Sequence, residues 1–210
     1  MNEAVWRVRA AAWELAALSF RYPGAELEGA VASGEWAEAA REVAAALGLA
    51  LPEGFGAGAP AGGLRPEATR LFVGAPEPAC SPYEGVWAAG ADGARALLFV
   101  SPRAMEVERF ASACGLGRPE GTNEPLDHVA AECELLSWLA SVAAGAEAPA
   151  GAPGAAGLPG GSAQAAYASF LEGHARTWMP AFARAVAAES RHSFYCAAAV
   201  YLGALVGKAS

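Results

Sequence analysis

Aromatic residues are scarce in this chain, 9% of 210, although 54% of the residues are hydrophobic; alanine supplies much of the difference. Alanine- and leucine-rich sequence without runs of β-branched residues favours helices over sheets. Cations are also few: 14 Lys and Arg face 22 Asp and Glu, a net charge of −8. Phosphate backbones are bound by clustered Lys and Arg, so no nucleic acid is expected as a partner. An acidic chain attracts basic peptides instead. The four cysteines, Cys80, Cys114, Cys133 and Cys196, form no C-x-x-C pair. Reduced core thiols, and hence a cytoplasmic location, are the simplest reading. Glu3, Arg7, Arg9 and Glu14 interrupt the N-terminal segment, so it lacks a signal peptide's apolar centre. No run of about 20 uncharged apolar residues marks a membrane span.

Chemical motifs are missing too. There is no G-x-S-x-G elbow, no phosphate-binding G-x-x-x-x-G-K-[ST] and no G-x-G-x-x-G after a strand. The three histidines are His128, His174 and His192. A ferritin-like dimetal site needs a Glu-x-x-His on each of two helices plus two further glutamates. His128 and Glu132, with Glu124 and Asp127 nearby, do not complete that set. No catalytic residue, metal or cofactor is therefore expected.

What is present is helical periodicity. Trp6, Ala10, Trp13, Ala17 and Phe20 predict a first helix from about Glu3 to Phe20, stopped by Tyr22-Pro23-Gly24. Further helices are predicted over about Trp36–Leu47, Pro66–Val73, from the cap Ser101-Pro102 towards Gly115, over Pro125–Ala144, over Ala163–Trp178, after a restart at Pro180, and over Ser193–Val206. Residues 145–161 are Ala/Gly/Pro-rich and read as a long flexible connection. The expectation is an all-α, single-domain helical bundle over residues 1–210, either monomeric or dimerised by exchanging helices across that connection.

Asp127 and His128 stand side by side at the start of an almost wholly apolar helix, where polar groups are costly unless paired or used. Thr122 or Asn123 is placed to cap this helix, with Pro125 in its first turn. One reading makes Asp127 a helix-end acid and His128 a hydrogen-bonded core residue. The other makes the pair one wall of a peptide groove, with Pro82, Tyr83 and Trp87 as its apolar floor and the acid meeting a partner's arginine.

Four segments, in order, carry a resemblance: Leu18-Ser19-Phe20-Arg21-Tyr22-Pro23; Glu67 to Gly74 continuing to Ser81-Pro82-Tyr83-Glu84-Gly85-Val86-Trp87; Glu124-Pro125-Leu126-Asp127-His128 with Glu132 and Leu135-Leu136; and Phe170-Leu171 with His174, Trp178, Pro180 and Phe182, then Phe194-Tyr195. Together they resemble the TorD/DmsD redox-enzyme maturation chaperones, relatives of the nitrate reductase delta-subunit chaperones. The chain departs from the family in its 145–161 connection, in Gly85 and in Ala88-Ala89, where bulkier residues would be common.

The resemblance implies an all-helical, non-enzymatic cytoplasmic chaperone for a molybdopterin-containing oxidoreductase. It would bind the enzyme's twin-arginine leader and its apo form before cofactor insertion and export. The residues implied in leader binding are Tyr83, Glu84, Trp87, Pro125, Asp127 and His128. On that basis Asp127→Ala should weaken leader binding with little effect on melting. A stable subunit of a membrane-associated reductase complex and a helical metal-dependent enzyme are the alternatives.

Overall fold

The computed structural model describes residues 2–58, 63–91, 101–117, 125–147 and 152–208. In chain order its helices are α1 (Glu3–Phe20), α2 (Ala25–Ser33), α3 (Glu35–Leu47), α4 (Leu64–Ala68), α5 (Glu84–Ala91), α6 (Pro102–Ala113), α7 (Val129–Ala143), α8 (Ala163–Phe170), α9 (Arg176–Glu189) and α10 (Ser193–Lys208). Wider, π-type turns continue α4 over Thr69–Val73 and join α8 to α9 over Leu171–Ala175. There is no strand among the described residues, and the fold is an all-α bundle.

α1 lies at its centre. The Asn2 side chain accepts the Ala4 N–H at 3.1 Å, and Glu3 in the first turn suits the positive end of the helix dipole. The predicted stripe of Trp6, Ala10, Trp13, Ala17 and Phe20 is buried. Burying each large apolar side chain contributes about 2–3 kcal/mol. The small residues on α1 let other helices approach, and its polar groups are bridged to them. Ser137 on α7 donates to the Ala10 carbonyl at 2.9 Å, Tyr201 on α10 donates to that of Ala12 at 3.2 Å, and the Trp13 indole donates to Tyr167 on α8 at 2.7 Å. On α3 the Trp36 indole donates to Ser19 at 2.9 Å. α1 packs chiefly along α7, and α9 along α10.

Several boundaries differ from the sequence reading, each for a local reason. α2 has no fully buried residue and only a short apolar face, Leu27, Ala30 and Val31, packed partly buried against the core; Gly34, at φ 87°, takes the left-handed turn that separates it from α3. α5 is a further unpredicted helix, with Gly85 and Gly90 in a sequence that reads as turn. Pro180 does not restart the chain but lies inside α9, just after the π-turn that absorbs the irregularity. The second half of the stretch expected to be a flexible connection is folded. Two 3₁₀ turns, Ala155–Gly157 and Pro159–Gly161, carry a buried Leu158, and the second of them packs on α8. One apolar side chain in an Ala/Gly/Pro tract is enough to anchor it. Residues 148–151 of that stretch lie outside the described residues.

Cys80, Cys114 and Cys133 are buried thiols without disulfides, and burial pushes Cys80 and Cys114 up to about 11. No helix among the described residues is long and apolar enough to cross a membrane.

A polar clamp closes α4 against the α9–α10 turn. Glu67 accepts from Arg70 at 2.9 and 2.8 Å and from the Arg191 N–H at 2.7 Å. The Arg70 guanidinium holds the Glu67 carboxyl down to about 2, against an ordinary 4.5. A depressed acid stabilises fully above its unfolded pKa, and that contribution fades as pH falls from 4.5 through 2. Glu67→Ala is expected to lower the unfolding free energy at neutral pH by about 2 kcal/mol, measured by urea denaturation. The gap should close progressively in acid.

Candidate functional site

The Asp127-His128 corner is a double helix cap. Residues 126–127 form a turn, His128 is extended (φ −74°, ψ 138°), and α7 begins only at Val129. Pro125 therefore precedes the helix instead of opening it. Thr122 and Asn123, the expected caps, lie outside the described residues, as does Glu124. The cap is His128, whose Nδ1 accepts the Ala130 N–H at 3.1 Å. An accepting Nδ1 leaves the ring proton on Nε2. Burial holds the imidazole neutral by lowering its pKa from 6.5 to about 4.

Asp127 caps a different helix. Its Oδ2 accepts the Gly85 N–H at 3.0 Å and its backbone carbonyl accepts the Glu84 N–H at 2.9 Å, both in the first turn of α5. The carboxylate there meets one otherwise unsatisfied amide and the positive end of the helix dipole, and the carbonyl meets the second amide. The junction is closed from the other side, where Val129 N–H donates to the Pro82 carbonyl at 2.8 Å. Tyr83 and His128 thus pair as a short antiparallel bridge, with their rings edge-to-face at 5.2 Å. Gly85 follows from this geometry. A Cβ at that position would lie 2.6 Å from the Ser101 side chain and 3.1 Å from Asp127 Oδ2. Its small size serves the junction between α5, α6 and the corner.

Beneath the junction lies a buried polar cluster. Glu84 and Glu132 are fully buried. Glu84 Oε2 is 2.9 Å from His174 Nδ1 on the α8–α9 π-turn, and Oε1 is 3.8 Å from Arg103 Nε on α6. The Trp178 indole donates to Glu132 Oε2 at 3.1 Å. Burial, followed by the nearby negative charge of Glu84, drives the Glu132 pKa well above 4.5 and favours its acid form. His174 stacks on Phe170, with ring centroids 4.7 Å apart.

The open feature is a groove of about 690 Å³ alongside. One wall is the outer face of α7, with Ala131, Glu134, Leu135 and Trp138 at helical spacing; the other comes from Val107 and Ala111 of α6 and Leu116 beyond it. Pro125, Leu126 and His128 form one end, and Arg21 and Tyr22, just after α1, reach its rim. Among the described residues of this lining, Glu134 is the only carboxylate. It accepts from Arg21 at 2.6 Å, and both side chains are nearly half exposed. Tyr22 is 62% exposed, unusual for an aromatic side chain beside an apolar groove.

The six sequence-predicted residues divide into three sets. Pro125 and His128 line the groove, and Tyr83 abuts His128. Glu84 and Asp127 are buried below, their oxygens taken up by the bundle, so the acid expected to meet a partner's arginine is not presented to one. Trp87 donates to the Ser81 carbonyl at 2.8 Å and packs edge-on against Phe182, away from the groove. The sequence reading missed Arg21, Glu134, Leu135 and Trp138 as site residues. For Leu135 and Trp138 the signal was the nearly all-round apolar character of α7; Arg21 and Glu134 carried none.

The described residues contain no group of three His, Cys, Asp or Glu arranged to hold a metal. The arrangement offers an apolar cleft with one acid at its rim, and its chemistry is that of a binding protein. Residues 33–184 match the family described as nitrate reductase delta subunit, well over half the chain, and the protein belongs to that family of redox-enzyme maturation chaperones. Its function is accordingly that of a chaperone in molybdoenzyme maturation, with a molybdoenzyme subunit as partner. No curated protein matches the chain.

The two caps yield a paired prediction. Asp127→Ala should cost about 1–3 kcal/mol, because it leaves the buried Gly85 amide of α5 unsatisfied; the near-neutral effect expected from sequence does not fit a buried cap. For His128 the folded pKa lies below the unfolded one, so stability is full above 6.5 and falls as pH drops from 6.5 to about 4. His128→Asn keeps a capping oxygen and removes the titration. Thermal melts from about pH 7 to 4 should show a smaller loss in the variant than in the wild type.

Proposed function

We propose that this chaperone works in the cytoplasm and binds the twin-arginine leader of its molybdoenzyme in the groove between α6 and α7. The observation that carries the reading is the pairing of apolar walls with an accessible carboxylate, Glu134, in an acidic protein. A leader presents adjacent arginines followed by an apolar core. Its apolar side chains would pack on Leu126, Leu135 and Trp138. One guanidinium would take the place of Arg21 on Glu134, as a planar fork that matches a carboxylate. The displaced Arg21–Glu134 pair is half exposed and worth less than about 1 kcal/mol, so exchanging it costs little.

The work is differential binding. A chaperone that holds the leader and apoenzyme more tightly than the finished enzyme delays export until the cofactor is in place, without covalent chemistry or a cofactor of its own. Tyr83, Glu84 and Asp127 act in this reading by shaping the end of the groove at Pro125 and His128, and Trp87 by packing α5 on the bundle. The family's description as a subunit favours one rival, permanent assembly in a reductase complex. A chaperone copurifies with precursor, and a permanent subunit with mature enzyme in fixed ratio.

The test uses labelled peptides, each the twin-arginine leader of one of the host cell's own molybdoenzymes, titrated with the chaperone and followed by fluorescence anisotropy. One leader should bind. Trp138→Ala should weaken it about tenfold or more, as loss of a buried aromatic anchor does. Glu134→Gln should narrow the difference between that leader and its Gln-Gln version. Failure of every leader to bind, or wild-type affinity in Trp138→Ala, would remove the assignment.

A further inference from the structure

The leader-groove reading leaves the buried acids unexplained. Two fully buried glutamates in one cluster are costly as a pair of anions, since like charges in a low-dielectric interior repel strongly. The hydrogen-bond inventory allows an arrangement that avoids this. Glu84 is approached by donors: His174 Nδ1 at 2.9 Å on Oε2, and Arg103 Nε at 3.8 Å near Oε1. Thr177 Oγ1 comes within 3.4 Å of Oε1, but its single proton goes to the His174 carbonyl at 2.7 Å. Both Glu84 oxygens therefore have polar neighbours within the bundle. Glu132 is different. Oε2 accepts from the Trp178 indole, Oε1 receives no donor, and its side chain is hydrogen-bonded to that of Glu84. Two carboxyls can share a hydrogen bond only if one of them carries the proton.

We propose that Glu132 carries a proton and donates it to Glu84, and that this shared proton positions segment 82–85 against the Asp127-His128 corner and so sets the shape of the groove. Glu132 is a positioning residue and touches no part of the leader. Its place, in the first turn of α7, links the helix that forms the groove's wall to the first residue of α5. That residue donates its own N–H to the Asp127 carbonyl, and its neighbours on either side make the Gly85–Asp127 bond and the Tyr83–His128 contact. The pair also reaches the α8–α9 π-turn through His174 and α6 through Arg103. Four elements are held by one proton.

The proposal rests on the leader-groove reading for its functional consequence but not for its structural one, and the experiment separates the two. Glu132→Gln keeps a donor for Glu84 and an acceptor for Trp178 in the same volume; Glu132→Met keeps the volume and removes both. Amide hydrogen exchange at Glu84, Gly85 and Val129 should match wild type in Glu132→Gln and be markedly faster in Glu132→Met. Affinity for the leader that binds wild type should stay within about twofold in Glu132→Gln and fall about tenfold in Glu132→Met. Equal behaviour of Gln and Met variants would reduce Glu132 to a space-filling residue and overturn the proposal. If wild type binds no leader, the groove reading fails and the exchange data still decide the pair.

A pH readout covers the case in which Glu132→Met does not fold. Glu132 is faced by Glu84 from α5 and Asp127 from the corner, with Cys133 and Glu134 beside it on α7, while His174 from the π-turn and Arg103 from α6 reach Glu84. A raised acid keeps its proton in the folded state when the unfolded chain has lost it. Stability therefore falls as pH rises above 4.5 towards the folded value. As pH rises above 4.5, the melting temperature of wild type should fall relative to that of Glu132→Gln, the His128 contribution being common to both. The same slope in both would overturn the shared proton.

Discussion

The site depends on one junction, the start of α5 closed onto the corner that precedes α7. Asp127 makes it with a side-chain oxygen and its own carbonyl, and Val129 returns a bond to Pro82. These bonds join segments more than 40 residues apart, so they fix tertiary geometry that local propensity does not provide. Removing the Asp127 carboxylate would release the α5 amide, loosen the Tyr83–His128 contact and let the end of the groove drift. The absence of a side chain at Gly85 belongs to the same junction, because Ser101 and Asp127 occupy the space that a Cβ would need.

Burial divides the charges of the region into two kinds of work. The buried acids, Asp127, Glu84 and Glu132, are engaged by amides, an indole, an imidazole and one another, and they specify how the helices meet. The half-exposed pair Arg21–Glu134 is held weakly, and a partner can exchange it. His128 stands between the two sets. Its neutral ring caps α7 with one nitrogen while the side chain lines the groove. A recognition surface built this way places its expensive polar groups out of the partner's reach and its replaceable ones at the rim.

Much of the bundle was legible because periodicity is local. The α1 stripe, the Ser101 cap, which accepts the Arg103 N–H at 3.2 Å, and the extent of α10 all followed from residues within a few turns of one another. α2 and α5 were not legible, since one has only a short, partly buried apolar face and the other is eight residues long with two glycines. Asp127 was recognised as important and placed as an acid available to a partner. Its role as the cap of α5 requires knowing what lies 42 residues upstream. Leu135 and Trp138 were visible as a second apolar face of α7, but whether such a face meets another helix or a groove is decided by how α6 approaches. Leu158 anchors a tract whose composition otherwise reads as linker.

The central claim is that the outer face of α7 receives the leader. The direct measurement is a set of heteronuclear NMR spectra of the labelled protein, taken as the leader peptide that binds it is added. The account predicts shifts concentrated at the amides of Ala131, Glu134 and Leu135, at the Trp138 indole and at Tyr22, with the Trp178 indole, bonded to Glu132 inside the bundle, changing little. Shifts centred on the separate cleft between α3 and the following loop, around Arg41 and Phe55, with α7 undisturbed, would contradict it.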